Sequence, residues 1–429
     1  MNDEVDAAEP HQGKWQKAQA GLDHRDDDTR GPAPGAIAGD GATAGASADT
    51  ASADTASAGT SAGTSAGGPT DAASDVERAA VDAARPLVER AIADEVTPGA
   101  VLLVGTADGA GHGIALGMRR YGGAAVTLDT RYDLASLTKV VGCLPALLHL
   151  LDTDEIRLDD PIRRFFSNAG WFQEPSLADA TLEQLALHVS GLPAWKPLFA
   201  WVSDRRTAIA NVLQTELSET PGTQVYSDLG VIALTAVIER VSGLHLDVFL
   251  HRHVFGPMEM STTRYGPLPH GLPVAATEDD GWRGRLLEGE VHDENAFVLD
   301  GVSGHAGLFA TAADLLRYGQ AWLQRDAPFA SPTWMAEALR DRSGGVGSPR
   351  GLLWPLRHDG WAFGNEASAG AFGHTGFTGT SLAIDPRTGW VSVLLTNRVH
   401  PQRRSADGII RLRRAVHDAI TAAFREASR

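Results

Sequence analysis

Apolar side chains recur along this chain with two different spacings, and each spacing predicts a different kind of element. Residues 76–95 carry them at helical spacing, and Pro98-Gly99 interrupts that pattern before the apolar run AVLLVG. A Gly-rich turn and a second short apolar run, IALGM, follow. The pattern therefore predicts a helix that leads into a β-hairpin.

The rest of the chain alternates between long helical patterns and a final pair of strands. The stretch DLASLTKVVGCLPALLHLL is long enough for a buried helix, which Pro145 could kink, and residues 150–330 contain helical patterns such as TLEQLALHVSG and SDLGVIALTAVIERVSG. TSLAIDPRTGWVSVLLTN predicts two strands around a turn, and residues 405–427 predict a closing helix. Strands near both ends indicate an α+β fold, with an antiparallel sheet flanked by helices and a mainly helical subdomain.

The composition changes sharply near residue 75. Before this point the chain is polar and contains a near-repeat of Ala, Ser, Thr, Asp and Gly, with almost no side chain able to offset the entropy of ordering. We therefore expect residues 1–75 to be a disordered tail. We expect residues 76–429 to be one catalytic domain, large enough to bury about three quarters of its unfolded surface.

Charge and cysteine content exclude some classes of partner. The formal net charge is -17, so nucleic acid and anionic lipid would be repelled on average. No run approaches the roughly 18 apolar residues of a membrane span, and the amino-terminal sequence MNDEVDAAEPHQ lacks a signal-peptide pattern. As written, the sequence predicts a cytoplasmic protein, or a periplasmic or extracellular one if the true start differs. The one cysteine, Cys143, excludes an intramolecular disulfide.

The strongest chemical signal is Ser136-Leu-Thr-Lys139. Residues three apart on a helix share a face, so the lysine amine can lie beside the serine hydroxyl and act as its base if its pKa is lowered. Lysine is rare here: it occurs only at positions 14, 17, 139 and 196 among 37 basic residues. A lysine within an apolar helix therefore favours catalysis over the alternative, a side chain that reaches from a helix edge into solvent.

Two further polar triplets stand next to apolar elements. Tyr226-Ser227-Asp228 precedes an apolar helix, where Ser and Asp are also common N-caps and where a tyrosine could relay a proton. His374-Thr375-Gly376 precedes the strand TSLAID, where it could equally be an ordinary turn. The order of the three elements, rather than any one of them, indicates a catalytic site.

Three motifs follow one another in this chain: SxxK, a YxN-like triplet, and a basic residue followed by Thr-Gly. In this order they resemble the motifs of the serine β-lactamase and penicillin-binding protein superfamily. The resemblance covers residues 76–429 and is best to the class C β-lactamase, DD-peptidase and esterase branch. LDDPIRRFF, LALHVSGLP and PGTQVYSD are similar to that branch as well. GEVHDENAFVLDGVSGHAGLFATAADL resembles a subgroup that includes a muropeptide amidase of peptidoglycan recycling.

The resemblance implies a role for each of these residues. Ser136 would be the nucleophile, Lys139 its base and Tyr226 the proton relay. His374, Thr375 and Gly376 would bind the substrate carboxylate and backbone. The backbone N–H groups of Ser136 and Phe377 would form the oxyanion hole.

Two positions depart from the family pattern. Asp228 stands where Asn is usual, so it adds a negative charge beside the substrate amide and disfavours β-lactam binding. His374 replaces a lysine and would leave the carboxylate site weakly charged at neutral pH. Both departures favour a peptidase, amidase or esterase over a dedicated β-lactamase.

Other candidate residues carry weaker signals. GTSAG at residues 59–63 and 63–67 matches a nucleophile elbow but lies in the polar repeat. His251 with His253, and His292 with Asp293, lack the further ligands that a metal site needs. His305 could line the pocket or simply pack, and Cys143 is expected to be a small buried apolar residue. We expect neither a metal nor an organic cofactor.

The sequence therefore predicts a serine hydrolase that acts through an acyl-enzyme on a small amide or ester, such as a D-alanyl peptide or muropeptide, with a nearby carboxylate. Two alternatives remain open. One is a β-lactamase proper, and the other is a non-hydrolytic sensor that binds penicillins or muropeptides. Amidase and esterase activities use the same attack, so the pattern does not separate them.

Overall fold

The computed structural model describes residues 69–166 and 176–429. Residues 1–68, which include most of the predicted disordered tail and both GTSAG repeats, lie outside the described residues. The first helix, α1, begins at Pro69 and ends at Ala93, so it starts before the predicted boundary at residue 75.

A five-stranded antiparallel sheet forms the centre of the described residues, with the strand order β2-β1-β10-β9-β8. These strands span Gly99–Gly105 (β1), His112–Gly117 (β2), Phe372–Thr375 (β8), Ser381–Asp385 (β9) and Trp390–Thr396 (β10). Strand β1 pairs with β10, with Ala100 opposite Thr396. Both ends of the domain therefore contribute to one sheet, and the predicted α+β class is confirmed.

Alternation along the strands builds one core on each face of this sheet. In β1, Val101 and Leu103 belong to the larger core, whereas Leu102 and Val104 belong to the smaller one. Successive strand residues point to opposite faces, so a strand buried on both sides reads as a continuous apolar run. Each such side chain contributes about 1.5–3 kcal/mol when it is fully buried.

Helices cover both faces of the sheet. Helix α1 and the last helix, α11 (Asp407–Ala427), pack together on the face that carries the smaller core. Helix α9 (Ala312–Gln324) lies on the other face, where a Cβ at Gly319 would stand only 2.4 Å from Val391. The absence of a side chain at Gly319 allows this close approach.

The middle of the chain is mainly helical, as predicted, and adds small strand pairs. Its α-helices are Leu144–Asp152 (α2), Arg163–Phe166 (α3), Leu182–Ala186 (α4), Arg205–Leu213 (α5), Asp228–Ser242 (α6), Leu246–Leu250 (α7), Glu294–Val298 (α8) and Pro332–Ala338 (α10). Its strands are Tyr132–Asp133 (β3), Arg264–Tyr265 (β4), Asp279–Asp280 (β5), Arg285–Leu286 (β6) and Leu308–Ala310 (β7). They pair as β3-β7-β4 and β5-β6.

Two predicted helices differ from the structure. The pattern TLEQLALHVSG gives only the short helix α4, because His188 adopts a positive φ of 58° soon after it. The long stretch after β3 is divided into a 3₁₀ turn (Ala135–Leu137), a π-helix (Lys139–Cys143) and α2. Pro145 lies in the first turn of α2, a position at which proline is common because its missing N–H is tolerated there.

The expectation that no apolar run approaches membrane-spanning length needs correction. Among the described residues, Ala135–Asp152 is long and apolar enough by length and composition. Most of that stretch is buried inside the protein, and core helices of soluble proteins have the same character. The stretch therefore gives only weak support for a membrane span.

The fold makes a prediction about acid stability through His417 on α11. Its ring is fully buried against Phe363, and its Nδ1 contacts the Arg413 carbonyl oxygen at 2.7 Å. Burial lowers the pKa of His417 from 6.5 to about 4, so the unfolded chain binds a proton before the folded chain does. Stability is therefore lost as the pH falls from about 6.5 towards 4.

We expect urea unfolding to show about 2 kcal/mol less stability at pH 5 than at pH 7 from this residue alone. In His417→Asn, which keeps a hydrogen-bond donor but does not titrate in this range, the difference between the two pH values should be smaller by that amount. An equal difference in wild type and variant would contradict the prediction.

Candidate active site

Ser136 lies at the start of the long apolar stretch, directly after strand β3. Ala135 adopts a positive φ of 46°, which is strained for a residue with a side chain. Its N–H donates to the buried carboxylate of Asp133 at 2.8 Å, and the other oxygen of Asp133 accepts from the N–H of His292 at 2.7 Å. Asp133 therefore fixes the backbone on which the half-buried Ser136 is presented.

The structure brings Lys139 to Ser136, as the spacing predicted. The Lys139 Nζ donates to Ser136 Oγ at 2.8 Å and to the His305 carbonyl oxygen at 3.1 Å, and it forms an ion pair with Asp228 Oδ1 at 2.7 Å. The Lys139 side chain is fully buried. Two hydrogen-bond acceptors and a carboxylate at ion-pair distance surround Nζ, so this arrangement favours the charged form.

The expected lowering of the Lys139 pKa is wrong for this resting state. Burial alone lowers that pKa, but the neighbouring Asp228 and Tyr226 outweigh burial and raise it above its usual value. The apolar sequence around Lys139 indicates its burial but not its contact with the distant Asp228. A carboxylate at 2.7 Å from the nitrogen stabilises the ammonium form strongly.

Tyr226 and Asp228 lie at the amino-terminal end of α6. Ser227 is the N-cap and accepts the N–H of Gly230, as predicted for this triplet. The N–H of Asp228 donates to the Ala194 carbonyl oxygen at 2.9 Å. Lys139 Nζ lies 4.9 Å from the centroid of the Tyr226 ring, which places Tyr226 beside the serine–lysine pair.

His374 and Thr375 end strand β8, and Gly376 begins the turn to β9. Side chains of Thr378 and Thr380 donate to the carbonyl oxygens of Asp133 and Leu134, which joins this turn to the segment before Ser136. A Cβ at Gly376 would stand 2.4 Å from the Leu134 oxygen. Glycine is therefore required there for contact with this chain itself, and the approach of substrate at Gly376 stays a prediction.

The second predicted oxyanion donor is the N–H of Phe377. Arg413, which is buried on α11, donates from Nη2 to the carbonyl oxygens of Gly376 at 2.8 Å and Thr380 at 2.9 Å. The Gly376 carbonyl and the Phe377 N–H belong to one planar trans peptide, so they point in opposite directions. By holding the carbonyl, Arg413 therefore orients the Phe377 N–H.

His374 is neutral in this site. Its ring is buried, and its Nδ1 contacts the Thr375 carbonyl oxygen at 2.8 Å. Burial, together with the positive charges of Lys139 and Arg350, holds the pKa of His374 well below its usual value. The expectation of a weakly charged position agrees with this direction.

A second group of residues, centred on His305, holds the backbone segment that contacts Lys139. His305 contributes its backbone oxygen to Lys139, and its ring contacts Ser303 Oγ at 2.7 Å and Asp293 Oδ1 at 2.9 Å. Asp293 also caps helix α8 through the N–H of Ala296. The ring of His305 is thus part of a structural network, while its carbonyl belongs to the site.

Sequence reasoning missed three residues near the site. Arg413 orients the turn, His188 accepts the N–H of Ser227 at Nδ1, and Arg350 lies 5.9 Å from the centroid of the Tyr226 ring. His188 was within a stretch quoted for its family resemblance, which was the available signal. Nothing in the sequence distinguishes the two arginines from the many exposed ones.

The residues with weaker signals take structural positions. Cys143 is fully buried, and burial raises the pKa of its thiol to about 12, as suits a small apolar residue. His251 is exposed on a π-helix, and His292 contacts Glu278 at 2.8 Å. In the described part of the chain, no group of three His, Cys, Asp or Glu side chains is placed to hold a metal ion.

A protein-family model described as Beta-lactamase matches residues 84–416. A Bacillus subtilis (strain 168) protein named N-acetylmuramyl-L-alanine amidase is 31% identical over 362 residues, which cover 73% of this chain and 80% of the relative. An Escherichia coli (strain K12) protein, named as a candidate D-alanyl-D-alanine carboxypeptidase, is 30% identical over 314 residues, which cover 64% and 70% of the two chains.

Solved structures show the same fold at lower identity. EstCE1, a hydrolase with promiscuous acyltransferase activity, has a TM-score of 0.66 and 19% identity, covering 81% of this chain and 100% of its own. An octameric penicillin-binding protein homologue from Pyrococcus abyssi has a TM-score of 0.61 and 21% identity, covering 74% and 73%. The chain therefore has a β-lactamase and transpeptidase-like fold, in agreement with the resemblance of its motifs to that superfamily.

The position of Arg413 predicts a loss of catalytic rate when its hydrogen bonds are removed. In Arg413→Met the Gly376–Phe377 peptide is free to rotate, so stabilisation of an oxyanion weakens. We expect the rate of acylation by a short nitrophenyl ester to fall about tenfold or more, with little change in KM. Stopped-flow absorbance measures this rate.

Arg411→Met, on the exposed side of the same helix, is the matched control and should keep the wild-type rate. Arg413→Lys should recover part of the loss, because an ammonium can still donate to one of the two carbonyls. If the Arg413 and Arg411 methionine variants acylate equally fast, Arg413 does not orient the donor.

Proposed function

Because this chain belongs to the beta-lactamase family, and is therefore a serine hydrolase, we propose that it cleaves an amide bond of a cell-wall peptide through an acyl-enzyme on Ser136. The observation that carries the proposal is the hydrogen bond of 2.8 Å between the buried Lys139 and Ser136. The named amidase and carboxypeptidase relatives support a substrate of this class. The muropeptide subgroup and the cytoplasmic location stay predictions from the sequence.

In the proposed reaction, Ser136 Oγ forms a bond to the substrate carbonyl carbon, and the serine proton passes to Lys139 in its neutral form. The N–H groups of Ser136 and Phe377 stabilise the oxyanion. The C–N bond then breaks, and the amine leaves with a proton delivered through Tyr226. Water attacks the ester, and its proton returns through Lys139, which frees the acid and restores Ser136.

Asp228 regulates how much neutral Lys139 is present. Its carboxylate lies 2.7 Å from Nζ, and it raises the lysine pKa. The ammonium must therefore lose a proton before it can accept one from Ser136. In this view Asp228 shifts the working range of the enzyme to higher pH, in addition to placing a negative charge beside the substrate amide.

A β-lactamase proper and a non-hydrolytic sensor are the alternative functions. The contact of Asp228 with Lys139 leaves a carboxylate where the family has an amide donor, which disfavours a β-lactam as the substrate. Tyr226 beside the pair favours turnover over a lasting adduct. A fluorescent penicillin distinguishes these cases, since a sensor would retain it and a β-lactamase would release the opened product.

Ser136→Ala should abolish both adduct formation and hydrolysis. We expect wild-type protein to release L-alanine from N-acetylmuramyl-L-alanine and to form an acyl adduct with a short nitrophenyl ester, as measured by amino-acid analysis and intact mass. The variant should do neither, because no nucleophile remains at the site.

Ser261→Ala, at an exposed position, is the control and should behave as wild type. Ester turnover without release of L-alanine would replace the amidase proposal with an esterase. A lasting penicillin adduct without turnover of any substrate would favour the sensor.

Asp228→Asn should shift the pH profile of kcat/KM. Removal of the carboxylate lowers the pKa of Lys139, so the neutral base appears at a lower pH. We expect the acidic limb of the profile, measured from about pH 5 to about pH 10, to move down by about one pH unit or more.

Asp279→Asn, which removes an exposed carboxylate from strand β5, should leave that limb in place. If Asp228→Asn instead abolishes activity at every pH, Asp228 is itself needed as a proton acceptor, and the proposed role of neutral Lys139 is wrong.

A further inference from the structure

His292 lies between the two segments that carry the proposed oxyanion donors. It precedes helix α8, and only 4% of its surface is exposed. Its ring is stacked on the ring of Phe377, with the centroids 5.8 Å apart and the planes at 28°. Its backbone N–H donates to Asp133, which also accepts the N–H of Ala135, next to Ser136. One residue therefore contacts both sides of the proposed oxyanion hole.

The carboxylate of Glu278 fixes the orientation of the His292 ring. His292 Nε2 contacts Glu278 Oε2 at 2.8 Å, and the same oxygen accepts from Arg403 Nε at 2.7 Å. Burial alone raises the pKa of Glu278, but the hydrogen bond with His292 and the charge of Arg403 outweigh burial and lower that pKa from 4.5 to about 2. Glu278 is therefore ionised and can only accept, so Nε2 of His292 carries a proton and donates it.

Two arginines hold the backbone on either side of the Phe377 side chain. Arg413 donates to the Gly376 carbonyl oxygen at 2.8 Å, and Arg398 Nε donates to the Phe377 carbonyl oxygen at 2.8 Å. Arg398 Cζ also lies 4.6 Å from the centroid of the Phe377 ring. Phe377 itself is half-buried, so the side chains packed around its ring determine where the ring lies. Only Cα separates the amide nitrogen from the side chain, and a ring that is held in place therefore limits movement of the N–H.

We propose that His292 is a positioning residue for the oxyanion hole. Its ring holds Phe377, while its backbone N–H holds, through Asp133, the segment that presents Ser136. An oxyanion hole stabilises charge only if its donors converge on the position that the oxyanion will occupy. The two donors come from segments that are distant in sequence, and His292 joins these segments. The inference rests on the proposed acyl-enzyme function and adds to it a residue that acts through others.

Substitution of His292 isolates the role of its ring, because every residue except proline keeps the backbone N–H that donates to Asp133. Loss of a merely structural ring would reduce the amount of folded enzyme and slow all substrates by the same factor. Loss of a ring that aligns the oxyanion donors slows most the reactions in which a strongly accepting oxyanion forms. Two esters that differ only in a carbonyl oxygen or sulfur separate these roles, because sulfur is a weak hydrogen-bond acceptor.

The experiment compares a short nitrophenyl ester with its thiono form, in which sulfur replaces the carbonyl oxygen. The measured quantity is the ratio of kcat/KM for the oxygen ester to that for the thiono ester. We expect this ratio to fall about tenfold or more in His292→Ala, since stabilisation of the oxyanion weakens. His292→Phe keeps a ring that can stack on Phe377 and should retain an intermediate ratio. His270→Ala removes an exposed histidine and should keep the wild-type ratio.

A double variant tests whether His292 acts through Phe377. Phe377→Ala keeps the N–H but removes the ring on which His292 stacks, so it should lower the ratio as His292→Ala does. If the two rings act together, His292→Ala should have little further effect in the Phe377→Ala background. Independent effects that multiply in the double variant would show that His292 does not act through Phe377, and they would overturn the inference.

The outcomes separate this inference from the function on which it rests. If wild type is acylated by neither ester, the acyl-enzyme proposal fails, and the inference fails with it. If wild type is acylated but His292→Ala slows both esters by the same factor, the positioning role is overturned while the acyl-enzyme proposal stands. Circular dichroism checks the fold of each variant. If His292→Ala does not fold, Phe377→Ala decides, because an unchanged ratio there would overturn the role of the ring contact.

Discussion

The buried ammonium of Lys139 is the interaction on which the site depends. It joins three parts of the chain that are distant in sequence: the segment that presents Ser136, the amino-terminal end of helix α6 with Asp228, and the loop that carries the His305 carbonyl. Burying a charge in a low-dielectric interior is costly unless the charge is paired and hydrogen-bonded. The cost of burying this charge therefore requires all three segments to occupy their positions together.

The two buried cations near Tyr226, Lys139 and Arg350, are not equally matched by carboxylates. One carboxylate, Asp228, serves Lys139, whereas the nearby Arg350 has no such partner among the described residues. The two histidines that pack near Tyr226 are kept neutral by burial and by these cations. A surplus of positive charge therefore lies where Arg350 approaches Tyr226.

The sequence predicted the members of the site better than their electrostatics. Ser136, Lys139, Tyr226 and His374 were found from residue order, because helical spacing and strand ends constrain where such side chains can lie. The raised pKa of Lys139 was missed, since it depends on a contact with Asp228 across 89 positions of sequence that no local pattern reveals. Arg350 and Arg413 were missed for the same reason. The α+β class and the terminal strands followed from apolar periodicity, while the 3₁₀ and π turns around Ser136 depend on tertiary contacts.

The pairing of β1 with β10 also governs when the site can form during synthesis. Strand β1 lies near the start of the domain, yet its neighbour in the sheet, with Ala100 opposite Thr396, is synthesised almost 300 residues later. The turn that carries Phe377 and the helix that carries Arg413 also emerge late. Contacts between such distant segments form slowly and require the whole domain. While the domain is being synthesised, Ser136 is therefore present before the Phe377 N–H, its proposed oxyanion donor.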